Sequence, residues 1–263
     1  MVSRGPRSML HPFCTRATLL RRRALLGGAV CALTMHRPGN AEAESSVALK
    51  VVVTGGHPGD PEYGCGGTIA RYVRLGHQVT ILYLNRGESV QRDDVGCTAN
   101  DDGVRVFEAR EACRILGATA VFAPQCNGRA VVDNAHYRAF TEQLADLRPD
   151  VVFTQWPIDN HPDHRAIANL TYEAWKNMGR TIAFYFYEVS NGEDTLMFAP
   201  SDFVDITDVE QIKRQACYAH ASQNPDHFYA LQSEVARFRG IEAGYTQAEG
   251  FVHHVRSPPG LLP

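Results

Sequence analysis

The sequence predicts an α/β fold in which a parallel sheet is covered by helices on both faces. Two observations carry that expectation. Short apolar, β-branched runs alternate with stretches of helical period, the pattern of buried parallel strands joined by crossover helices. Two of those runs end directly in clusters of His and Asp, and an open α/β sheet holds its ligand site beyond the carboxyl ends of its strands.

Taken in order, Leu49–Gly55 reads as the first strand and Gly64–Leu75 as a helix stopped by Gly76. Gln78–Leu84 is the second strand. Asn85–Gly103 is polar, contains Asp101 and Asp102, and is long for a connection, which marks it as a candidate functional loop. Val104–Leu116 is a helix ended by Gly117, and Thr119–Phe122 a short strand. Asn134–Leu147 is a helix with Asp133 in the N-cap position and Arg148-Pro149 as its stop. Val151–Thr154 is a buried strand that leads into a helix over His164–Met178. Thr181–Val189 and Phe203–Ile206 read as strands, Asp208–Ser222 and Asp226–Arg239 as helices, and Ser257–Pro263 as a loose Pro-rich tail. The result is one domain over about residues 48–256, without internal repeat or linker.

The first 43 residues read as an export signal rather than structure. They hold seven Arg, no Lys and one acid, Glu42. Arg21-Arg22-Arg23 precedes the apolar run Ala24–Met35, and Ala41-Glu42-Ala43 is a small-x-small cleavage site. Paired arginines fit a twin-arginine signal, and the expectation is a periplasmic or extracellular protein cut near Ala43. The remainder carries 19 basic against 28 acidic residues, an acidic body that argues against nucleic acid as partner. No apolar run is long enough to span a membrane. Cys65, Cys97, Cys113, Cys126 and Cys217 show no CxxC or zinc-finger spacing. The oligomeric state is not legible.

The chemistry sits in two clusters, His57-Pro58-Gly59-Asp60-Pro61-Glu62 and Asn160-His161-Pro162-Asp163-His164. A catalytic metal takes three protein ligands of His and carboxylate type and keeps one position open. A glycine-rich turn after the first strand can aim His57 and Asp60 inward, and His164 supplies the third arm from the second cluster. His161, protonated and held by Asp163, is placed to stabilise an oxyanion and protonate a leaving amine. Arg86, after the second strand, and Trp156, beside the second cluster, are candidate substrate contacts. Gly64-Cys65-Gly66-Gly67 lacks the GxGxxG spacing of a dinucleotide loop and reads as glycines that let a helix pack close to the sheet.

These residues resemble the PIG-L/LmbE-like de-N-acetylase family over nearly all of residues 48–252. The HPxD cluster, the helix entry Gly64–Thr68, the HPDH cluster His161–His164, Lys213, the run His220–Gln223, Arg239-Gly240 and Ala248–Phe251 occur in the family's order. The resemblance implies a Rossmann-like three-layer sandwich with a mostly parallel sheet, and a zinc ion held by His57, Asp60 and His164. It also implies hydrolysis of an N-acetyl group from an amino sugar or glycan, with His161 assisting and Asp163 behind it. Iron(II) or cobalt(II) also suits a His₂Asp site. One departure stands out. Where the family usually has an aspartate that serves as general base, this chain has Gly59. Either Asp159 or Glu62 replaces the base, or the metal suffices alone, or the protein binds zinc and carbohydrate with little turnover.

Overall fold

Three consecutive valines, two of them facing one side of the pleat and one the other, make β1 (Lys50–Gly55) an interior strand of the sheet. Val51 and Val53 join one hydrophobic cluster while Val52 joins the second, as a strand buried on both faces requires. The computed structural model describes residues 48–87, 103–189 and 195–263. After β1 come α1 (Asp60–Arg74), β2 (Gln78–Tyr83), α2 (Val104–Leu116), β3 (Thr119–Phe122), α3 (Asn134–Leu147), β4 (Val151–Gln155) and α4 (Pro162–Asn177). The chain continues through β5 (Ala183–Tyr187), β6 (Asp202–Asp205), α5 (Glu210–Tyr218), a 3₁₀ turn at Ala221–Gln223, α6 (Pro225–Ala243) and β7 (Ala248–His253).

The strands lie in the order β3-β2-β1-β4-β5-β7-β6. β1 to β5 are mutually parallel, while β7 runs antiparallel to β5 and β6 antiparallel to β7. The core on one face gathers side chains of α1, α2 and α5, including Ile69, Tyr72, Leu116 and Ala216. The core on the other face gathers Phe140 and Leu144 of α3 with Ile167, Leu170 and Trp175 of α4. The architecture is therefore a three-layer α/β sandwich with a mostly parallel sheet. β1 connects outward to β2 on one side, and β4 lies on its other side. The chain reverses its direction of travel between them, and their carboxyl ends open the crevice where such sheets bind ligands.

α5 is shorter than the expected Asp208–Ser222, giving way after Tyr218 to the 3₁₀ turn, and α1, α6 and β7 also depart from the sequence expectation. α1 begins at Asp60, four residues before Gly64, because Pro61 fits a first turn and the Glu62 carboxylate accepts the Gly59 N–H at 3.2 Å. Its glycines are required because neighbouring side chains leave no room for anything larger. A Cβ at Gly67 would stand 2.5 Å from Ile206 Cγ2, and one at Gly64 would stand 2.3 Å from the Tyr187 ring. α6 runs on from Arg239 to Ala243, where Gly244 adopts φ 81° and closes it. β7 has no counterpart in the sequence reading, since Ala-Glu-Gly is poor strand sequence. Glu249 explains its place. This buried carboxylate accepts the backbone N–H groups of Gly67 (2.9 Å) and Thr68 (2.7 Å), the Thr68 hydroxyl (2.6 Å) and the Lys213 ammonium (2.7 Å). One side chain thus ties β7 to α1 and α5.

Candidate metal centre

β1 ends at Gly55, and the turn Gly56–Gly59 throws His57 and Asp60 back over the sheet end. The Gly56 N–H donates to Gln155 Oε1 at 2.7 Å, which ties the end of β1 to the end of β4. A Cβ at Gly56 would stand 3.0 Å from the His164 ring and 3.2 Å from Asp60 Oδ2, so only glycine leaves these two side chains their places without crowding. His164 enters from the first turn of α4, which Pro162 opens and the His161 N-cap precedes.

Asp60 Oδ2 is the hub. It lies 3.1 Å from His57 Nδ1 and 3.1 Å from His164 Nε2, and it accepts the His57 N–H at 2.8 Å and the Gln155 amide at 3.3 Å. Donor atoms bound about 2.0–2.2 Å from one ion in a tetrahedral arrangement stand little more than 3 Å apart. The other nitrogen of each histidine faces a second carboxylate. His57 Nε2 meets Asp163 Oδ2 at 3.0 Å, and His164 Nδ1 stands 3.1 Å from Asp159 Oδ2, at an angle too poor for a full hydrogen bond. Metal-binding histidines characteristically have such carboxylate backing, which fixes the ring and the tautomer. The donor set therefore fits a divalent ion held by His57, Asp60 and His164.

The charges follow from this packing. Burial disfavours the imidazolium of His164, yet Asp60 and Asp159 outweigh it and bring its pKa up to about 10. His57 is raised in the same sense, against burial, by Asp60 and Asp163. Burial works against the Asp60 carboxylate as well, but His164 and His57 hold its pKa well below the usual carboxylate range.

His57, His161 and His164 form a triangle of imidazoles, with ring centroids 4.6, 4.7 and 5.2 Å apart, and all three bring nitrogens close enough to share an ion. His161 differs from its neighbours in one respect. Its Nδ1 accepts the backbone N–H of Asp163 at 3.2 Å, so the neutral ring carries its proton on Nε2. That tautomer presents a hydrogen-bond donor rather than a lone pair. Burial, followed by the charges on His57 and His164, lowers the His161 pKa and favours this neutral form.

Several expectations change at this level. Asp163 does not stand behind His161. Its Oδ2 accepts from Gly128 N (2.7 Å) and Asn85 Nδ2 (3.2 Å) and holds the His57 ring. Asp159 is not freestanding: one oxygen accepts the His161 N–H (2.8 Å) and the other lies 3.1 Å from His164 Nδ1. Glu62 is fully buried and serves as a cap. It receives the Tyr83 hydroxyl at 2.6 Å and lies 3.1 Å from His220 Nε2, besides accepting the Gly59 N–H. Trp156 is half-buried, donates its ring N–H to Leu196 O at 2.8 Å and packs edge-on to Phe186 and Phe198. The Arg86 guanidinium lies over the Phe122 ring, 5.1 Å from its centre. Asp101 and Asp102 lie outside the described residues. The sequence reading passed over Gln155 and Asn85, which orient Asp60 and Asp163. Each is a buried polar residue at or just past a strand's carboxyl end, and that position was the available signal.

The family described as PIG-L, GlcNAc-PI de-N-acetylase, matches residues 52–175, a span that holds both clusters. The diacetylchitobiose deacetylase of Thermococcus kodakarensis is 26% identical over 240 residues, covering 81% of this chain and 84% of that protein. A 1D-myo-inositol 2-acetamido-2-deoxy-alpha-D-glucopyranoside deacetylase of Saccharomonospora viridis is 32% identical over 170 residues, which cover 53% of this chain and 62% of that one. Among solved structures, the conserved protein TT1542 of Thermus thermophilus superposes with a TM-score of 0.67 at 29% identity, over 81% of this chain and 98% of its own. The 4-carboxy-2-hydroxymuconate hydratase GalB of Pseudomonas putida superposes at 0.69, over 82% of this chain and 100% of its own, but at 22% identity it shows the shared fold alone. The curated relatives are named as deacetylases, which are hydrolases of non-peptide C–N bonds. By the order and spacing of its motifs, its fold and these likenesses, the stretch 52–175 that carries both clusters belongs to the PIG-L/LmbE-like family of de-N-acetylases.

Proposed function

We propose that this protein removes the acetyl group from an N-acetylated amino sugar or glycan, using a divalent ion held by His57, Asp60 and His164. The observation that carries this reading is that His57 Nδ1 and His164 Nε2 each lie 3.1 Å from Asp60 Oδ2, with a further carboxylate beside each histidine. Zinc is the ion that best suits two imidazoles and one carboxylate, and iron(II) and cobalt(II) accept the same set. Bound there, the ion supplies Lewis acidity that activates a water and polarises the amide carbonyl.

The protein's own groups do the rest. Asp163 and Asp159 hold the rings of His57 and His164 and keep their inner nitrogens free of protons. His161 presents Nε2–H toward the shared space, where it donates to the oxygen that gains charge as the amide is attacked. The water oxygen bonds to the acyl carbon as the amide C–N bond breaks, and the two protons of that water pass to the amine, which leaves as an ammonium beside acetate. Asp60, Asp159, Asp163 and Glu62 each hold a neighbouring group through at least one oxygen, and glycine at position 59 brings no carboxylate of its own. A positioned base is typically worth about 10²–10⁴-fold, and turnover is slower than in relatives by a factor of that order. The same observation favours a second reading, a metal-containing carbohydrate-binding protein with little or no turnover.

We also propose that the protein is exported, as its arginine-rich leader and Ala41-Glu42-Ala43 suggest. Cys126 is disulfide-bonded, which fits an oxidising compartment.

The test is acetate release from a panel of N-acetylglucosamine conjugates, with metal stripped by chelation and restored ion by ion, alongside metal content by mass spectrometry. Release that returns with about one ion per chain supports the hydrolase. Stoichiometric metal with sugar binding and no release across the panel supports the second reading. His57→Ala and His164→Ala should each lose the ion; full occupancy in both would sink the ligand assignment.

A further inference from the structure

His57 is held by a closed circuit of hydrogen bonds, and Arg105 is its least expected member. Arg105 lies in the first turn of α2, where a helix N-terminus disfavours a cation. Its guanidinium reaches instead to the turn after β1. Nη2 donates to Pro58 O at 2.8 Å, and Nη1 lies 3.5 Å from Gly87 O. The Gly87 N–H donates to Asn85 Oδ1 at 2.8 Å, and Asn85 Nδ2 donates to Asp163 Oδ2 at 3.2 Å. Asp163 Oδ2 in turn meets His57 Nε2 at 3.0 Å, and the circuit closes through the peptide that joins His57 to Pro58. Gly87 suits this arrangement. It has φ 69°, and a Cβ there would stand 2.6–2.8 Å from Arg105 Nε, Cδ and Cζ.

We propose that Arg105 is a positioning residue for the metal centre, an inference that rests on the reading of His57 as a metal ligand. It acts through Pro58 and Asn85 rather than by touching the ion. Asn85 is fully buried, and both ends of its amide are engaged, Oδ1 with Gly87 and Nδ2 with Asp163. The Arg105 link therefore fixes the turn that carries Asn85 against the turn that carries His57. That fixes how the Asp163 carboxylate and the His57 ring are aimed at each other. Arginine suits the place because its planar fork carries donors on two arms, whereas a lysine ammonium is a point charge without that fork. Without the link, His57 keeps Asp163 beside it, but the two turns lose their common anchor. The consequence is a weaker site rather than a missing ligand. Metal affinity should fall about tenfold, the lower end for groups behind a metal-bound histidine.

Cobalt(II) binding to the full chain tests this, measured by competition with a chromogenic chelator at a temperature where every variant is folded. Arg105→Gln and Asn85→Ala should each weaken binding about tenfold and alter the visible cobalt spectrum, which reports the geometry of the ligands. The double variant should bind about as weakly as the weaker single, because both changes break one circuit. Arg105→Lys should fall between Arg105→Gln and the parent. A parent that takes up no ion overturns the metal reading and this one with it. A parent that binds cobalt(II) beside an Arg105→Gln of equal affinity and spectrum overturns this inference alone. So does a double variant whose loss is the product of the two single losses. If Arg105→Gln does not fold, Arg105→Lys takes its place in the same cycle, and parental affinity there overturns the proposal.

Discussion

At the residue scale, the centre turns on which nitrogen and which oxygen face inward. The sequence singled out His57, Asp60 and His164, which the structure brings together, because histidine and aspartate directly after a buried strand have few structural reasons to be there. It did not reveal what backs them. Asp163 is next to His164 in the chain, yet its carboxylate holds His57, more than a hundred residues away. Asp159 precedes His161 by two residues, yet its second oxygen serves His164. Sequence neighbours exchange partners because the first turn of α4 rotates each side chain about 100° from the last. This gives Asp159→Asn a definite outcome. Metal affinity should fall about 10- to 100-fold, as for other carboxylates behind a metal-bound histidine. At saturating metal, kcat should stay within a few-fold of the parent. A kcat loss of a hundredfold or more with metal fully retained would instead make Asp159 the base.

At the element scale, strands and helices with strong periodicity were legible to within a residue or two, among them α2, β3 and α3. Where the expectation missed, a tertiary partner had overridden local preference. Glycines suggested that α1 starts late, but they are small because Tyr187 and Ile206 press against them. β7 was invisible because its defining residue is a buried glutamate. Its partner Lys213 is 3% exposed, and Glu249 holds the ammonium pKa up against burial. Lys213→Met would strand Glu249 without its counterion. Breaking a buried pair from one side costs about 3–5 kcal/mol, so urea unfolding of this variant should show a lower midpoint with a near-constant slope. Glu249→Gln/Lys213→Met should recover much of that loss. An unchanged midpoint in Lys213→Met would mean the pair is not what joins β7 to α1 and α5.

At the scale of the whole molecule, the sheet order could be anticipated only as far as β5, because alternating strands and helices specify parallel crossovers and say nothing of an antiparallel edge. The order matters, since it places β1 and β4 side by side and so brings two clusters a hundred residues apart into one site. It also couples the centre to global stability. In chelated protein, the His164 pKa of about 10 lies above its ordinary 6.5. Its ion pairs therefore contribute fully below about pH 6.5, and that contribution is lost as the pH rises through about 10. Thermal unfolding of chelated protein should fall between pH 7 and 10 more steeply than that of loaded protein, whose ligating nitrogen carries no proton. Parallel profiles would show that the histidine network does not bear on folding. A last consequence concerns α1 and α4, both of which begin at the centre. Each helix N-terminus brings roughly half a positive charge, so with a divalent ion the cationic side sums to about three. Asp60, Asp159 and Asp163 supply three negative charges against it. The loaded site is thus close to electrically neutral, with an uncharged His161 on its rim, and a departing acetate anion leaves without having to climb out of a positive well.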